Sequence, residues 1–87
     1  MRLEVNSNFH VGDSWTARVT GGMPGAKVTL MGIWDTSPWI IESGGRTDSG
    51  GTFVTNGNFP AGTEDNHELR VVVGAAQSNV VRFSVMP

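Results

Sequence analysis

Eight carboxylates, two histidines and three tryptophans are the side chains of this 87-residue chain best suited to metal, sugar or acid–base chemistry. Asp13, Asp35, Glu64 and Asp65 are candidate calcium ligands, since that cation collects about six to eight oxygens, mostly from carboxylates and carbonyls. Trp34 and Trp39 bracket the run "DTSP" and would offer flat apolar faces to sugar rings, with Asp35, Glu64 or Asp65 bonding the hydroxyls. His10 and His67 do not make a zinc site alone: a structural site takes about four N or S donors, and the chain has no cysteine. A triad can be written from Ser37, His67 and Asp35, yet nothing in the sequence specifies a strained nucleophile turn or an oxyanion pocket around Ser37. Acids paired for glycoside hydrolysis need a cleft that so short a chain hardly provides. No catalytic residue and no cofactor are expected, calcium aside. The plainer reading of the same residues is that the tryptophans fill a core and the acids form a solvated rim.

The most motif-like stretch is "RTDSGGTF", residues 46 to 53, with one aspartate, two glycines and three hydroxyls. A phosphate cradle sets its glycines before a helix and usually adds a lysine. Here a strand follows and no lysine is near. A helix-loop-helix calcium loop needs oxygen ligands at alternate positions and a late glutamate, whereas Asp48 stands alone. The stretch therefore reads as a turn in which Asp48 and Ser49 bond local backbone and Gly50 or Gly51 supplies positive φ.

Any elements that position these residues must come from one small domain without disulfides. Eleven valines, four phenylalanines and three tryptophans suit half-buried strands better than helices. Twelve glycines and four prolines break every window of helical length. "SWTARVT" alternates, with Trp15, Ala17 and Val19 on one face and Thr16, Arg18 and Thr20 on the other. "ELRVVVG" points Leu69, Val71 and Val73 inward, and "NVVRFSV" does so with Val81, Phe83 and Val85. "KVTLMGIW" reads as buried on both faces, Val28 and Leu30 on one, Met31 and Ile33 on the other, with a bulge at Gly32. Leu3 to Val5, Trp39 to Glu42 and Thr52 to Asn56 complete seven strands. An all-β, two-sheet antiparallel sandwich of the immunoglobulin type covers both apolar faces, and a small closed barrel is the other arrangement that would do so. Residues 1–87 form a single domain in this reading.

Net charge is −2, and Arg2, Arg18, Lys27, Arg46, Arg70 and Arg82 are scattered, so no stripe for nucleic acid is expected. No apolar run reaches the length of a membrane helix, and "MRLEVNSNF" lacks the apolar stretch of a secretory leader.

"T-D-x-x-G-x-F", matched by Thr47, Asp48, Gly51 and Phe53, resembles a turn between middle strands of bacterial and phage immunoglobulin-like modules of the Big or Cna-B-like kind. "FHVGDSWTARVTGGMPGAKVTL" is similar to the opening of many such modules and "SNVVRFSV" to their closing strand. The resemblance implies a noncatalytic spacer or adhesion module of a longer cell-surface, secreted, extracellular or phage-virion protein, with neighbouring domains or subunits as partners. A carbohydrate-binding module using Trp34 and Trp39, with glycan as partner, is the alternative. The set for an internal isopeptide bond is not evident, since Lys27 is the only lysine. In the immunoglobulin strand order, one end would gather "GGMPGA", "DSGG" and "GAAQSN". The other would bring His10, Asp13, Trp34, Asp35, Trp39, Glu64, Asp65 and His67 together.

Overall fold

The alternation of "SWTARVT" carries through into burial: Trp15, Ala17 and Val19 are buried, and Thr16 and Arg18 between them are exposed. In a computed structural model, residues 1–34 and 37–87 are described, Trp34 by its backbone alone. The strands are β1 (Arg2–Asn6), β2 (Ser14–Thr20), β3 (Lys27–Trp34), β4 (Ser37–Arg46), β5 (Phe53–Asn58), β6 (Asp65–Val73), β7 (Ala76–Gln77) and β8 (Val81–Val85). They form two antiparallel sheets, β1-β2-β5 and β4-β3-β6, with β7 and β8 side by side in sequence along the far edge of β6. This is a two-sheet sandwich and not a closed barrel. Leu3, Val19, Val28, Leu30, Val71 and Val73 are essentially buried between the sheets, each contributing about 1.5–3 kcal/mol over its exposed state.

Several expectations shift by a few residues. The fourth strand runs from Ser37 to Arg46 rather than Trp39 to Glu42. The closing strand is β8 (Val81–Val85), and the expected loop "GAAQSN" contains an additional short strand, β7, paired to the end of β6. The register of β3 on β4 slips between Val28 and Met31 rather than at Gly32. Gly32 has a different cause: a Cβ there would lie 2.9 Å from Ile41 Cδ1 and 3.1 Å from Leu69 Cδ2. Met31 and Ile33 are half-buried rather than core, since they alternate with buried Leu30 and Gly32 and so occupy the outer face of the sheet.

The two long sides of the sandwich are closed differently. On one side the Leu3 amide donates to Asn79 Oδ1 (2.8 Å) and Asn79 Nδ2 donates to the Leu3 carbonyl (3.1 Å). That side chain takes the place of a strand residue, linking β1 to the turn before β8. Below it, Val11 and Phe9 exchange backbone bonds with Met86, a parallel bridge between the segment after β1 and the residue after β8. On the opposite side the edges are β4 and β5, joined where Thr55 Oγ1 donates to Glu42 Oε2.

The nine residues of β6 span about 30 Å at strand rise, so the strands follow the longest dimension of a body measuring 38 × 22 × 19 Å. One pole carries residues 21–26, 47–52 and 74–75, and there Met1 lies against Gly21. The other carries 7–13 and 59–64, with Met86 bonded to Phe9 and Val11.

Candidate functional site

The glycine stretch is a structural crossing from one sheet to the other. Asp48 Oδ1 accepts from the amides of Gly50 and Thr52, both at 2.9 Å, and the Gly51 amide donates to the Asp48 carbonyl (3.1 Å). Gly51 takes φ +77°. Thr47, one of the few buried polar side chains, donates through Oγ1 to the Met23 carbonyl and accepts from the Ala26 amide. Phe53 lies over Gly45, where a Cβ would come within 2.3 Å of the ring. Every position of the T-D-x-x-G-x-F pattern is thus accounted for by folding. The chain change is between sheets, because β4 and β5 belong to different ones.

A concavity lies elsewhere. A groove of about 240 Å³ opens between the first half of β4 and the β5–β6 connection, walled by Trp15, Trp39, Ile41, Phe59, His67 and Phe83. Trp39 and Ile41, which line it from β4, remain 50 and 42 % exposed, whereas Ile40 between them pairs with Met31 on the outer face. Trp39 faces Gly32 across the ladder, so the indole has no opposing side chain on that strand. Behind the groove, Phe9 stacks on Phe83 (centroids 4.6 Å), Phe83 on His67 (5.5 Å, planes 7° apart), and Phe59 leans on all three. His67 Nε2 lies 2.6 Å from the Thr63 carbonyl. A carbonyl only accepts, so Nε2 carries the hydrogen.

Sequence reasoning brought Trp39 and His67 to one end and missed Trp15, Ile41, Phe59 and Phe83 as groove walls. His67 carried a usable signal, since it stands two residues before inward Leu69 and so shares its face.

The acids assemble less. Asp13 Oδ2 accepts from the His10 amide (3.0 Å) and lies 3.6 Å from His10 Nδ1. Asp65, at φ 107°, accepts from the Asn66 amide. Glu64 adjoins Thr63 at the rim, and Asp35 and the Trp34 side chain lie outside the described residues. Among the described residues, no three of His, Asp and Glu are grouped so as to hold a metal ion. Ser37 and His67 both face Trp34 in register, one on each neighbouring strand, which separates their backbones by about 10 Å. The site can bury an apolar or ring-shaped group. It presents few polar atoms toward a developing charge.

No family model, curated protein or solved structure matches this chain.

Proposed function

We propose that the chain is a noncatalytic structural and interaction module of a larger extracellular, cell-surface or virion assembly, with immunoglobulin-like connectivity. The observation that carries the reading is the placement of the ends: Met1 lies at one pole of the long axis and Met86 at the other. Such a body can be strung between neighbours with its length fully used. The strand order β1-β2-β5 facing β4-β3-β6 supports the connectivity, with the fourth strand paired to the third instead of the fifth. The apolar groove wall and the intervening β3 between Ser37 and His67 speak for binding over catalysis. In a fusion of two copies joined from Pro87 to Met1, small-angle scattering is expected to give a rod of about twice the 38 Å length. A globular particle with copies side by side would refute the spacer role.

A carbohydrate-binding reading is favoured by one feature, the half-exposed Trp39 indole at the mouth of the groove, near the polar groups of Asn58 and Thr63. Here a glycan array is expected to show binding that Trp39→Ala removes. An array with no signal, or one unchanged by the substitution, eliminates that reading.

A further inference from the structure

We propose that separate copies of this domain stack head to tail, the Met23 loop of one copy seated in the aromatic groove of the next. This rests on the reading of the domain as an interaction module and names its partner as a second copy of this chain.

Met23 is 70 % exposed, more than any other large apolar side chain described. Its loop is nonetheless held firmly: Thr47 Oγ1 bonds the Met23 carbonyl, the Gly22 amide bonds Gly51 (3.0 Å), and Arg46 Nη1 bonds the Gly25 carbonyl (3.1 Å). The side chain therefore projects from a preorganised turn, followed by exposed Pro24, and ordering it on contact costs little. The groove at the opposite end suits it. A cavity of about 150 Å³ takes a benzene, so 240 Å³ accommodates a methionine side chain and part of Pro24. An unbranched thioether fills irregular gaps and gains from sulfur–aromatic contact, which Trp39, Phe59 and Phe83 would supply.

Charge gives the direction. The Met23 pole holds Lys27 and Arg46, neighbours in register and both exposed, against the single carboxylate of Asp48. The groove pole holds Asp13, Glu64 and Asp65. Unlike poles attract and like poles repel, which selects head to tail over head to head. Pairing through the β4 edge is disfavoured by Pro38, which lacks an amide donor. A contact between two different surfaces does not close on itself and propagates.

Sedimentation velocity on the full chain decides the matter. From about 10 µM to about 1 mM, the range of weak self-association, the mean mass is expected to rise with concentration and to rise less at high salt. Met23→Asp and Trp39→Ala should each weaken association by a factor of roughly thirty or more, the loss given by a buried anchor. Mixing the two variants should restore one interface and stop at a one-to-one dimer. A wild type that stays monomeric, variants that associate like wild type, or a mixture that forms no dimer each overturns the proposal. If Trp39→Ala lowers the melting temperature, Met23→Asp alone decides by abolishing or sparing association. Monomeric chains together with a rod-like two-copy fusion would sink this inference and leave the module reading standing.

Discussion

Gly51→Ala is expected to cost about 4 kcal/mol or more, close to the whole stability of a small domain. Two effects add. Gly51 sits at φ +77°, a region that costs an L-residue about 1–2 kcal/mol. A Cβ built there would lie 2.0 Å from the Gly22 carbonyl oxygen, 3.0 Å from its carbon and 3.2 Å from its nitrogen. These are backbone atoms and cannot rotate aside. Relief requires parting the 21–26 turn from the 47–52 turn, and that breaks the Gly22–Gly51 bond and exposes Thr47, which is 4 % accessible and bonded to both Met23 and Ala26. At about 4–8 °C per kcal/mol for a domain of this size, the melting temperature should fall by roughly 15–30 °C. Gly50→Ala is the control, since its Cβ would meet only Asp48 Oδ1 at 3.4 Å without positive φ, and it should change stability by less than about 1 kcal/mol. Thermal unfolding followed by circular dichroism checks both. Equal melting points for the two variants would mean that the turns do not touch as described.

That contrast also marks what a sequence reading can reach. The reversal at Asp48 was legible because its causes are local: an aspartate bonding amides two and four residues on, and a glycine placed for positive φ. Which glycine matters most was not, because the decisive neighbour is Gly22, far away in the chain. The inward faces of β2, β6 and β8 followed from period-two alternation, and Val19, Leu69, Val71 and Val85 are buried accordingly. Met31 and Ile33 misled because an apolar residue on an uncovered outer face reads the same as one in a core. The groove was hidden for another reason. Its walls come from β2, β4, β6, β8 and the β5–β6 connection, segments far apart in the chain that only the tertiary fold brings together. Asn79 could not have been picked out either, since a side chain that completes another strand's hydrogen bonds has no pattern of its own.

Trp15→Ala is expected to destabilise by about 3–5 kcal/mol, the range for emptying a large aromatic site. Trp15 is 9 % exposed and stands directly opposite Gly57 in the β2–β5 ladder. A Cβ on Gly57 would come within 2.6 Å of indole Cζ2, 2.8 Å of Cε2 and 3.1 Å of Nε1. The ring thus lies over the glycine, and the sequence pairs the largest residue with the smallest so that both fit between the sheets. Gly57→Ala should accordingly cost about 1–3 kcal/mol by overpacking. The double variant separates this account from simple loss of area. Once the indole is gone the new methyl has room, so the combined loss should fall short of the sum by at least about 1 kcal/mol. Urea denaturation of the four proteins gives the cycle, and additive losses would show that the two positions are not in contact. Because the same indole forms part of the groove wall, its removal also widens the cavity in which Trp39 stands. A Trp15 that served only as a surface platform for a ligand would leave unfolding unchanged when replaced, and the size of the loss therefore distinguishes a wall built from the core from one added to the surface.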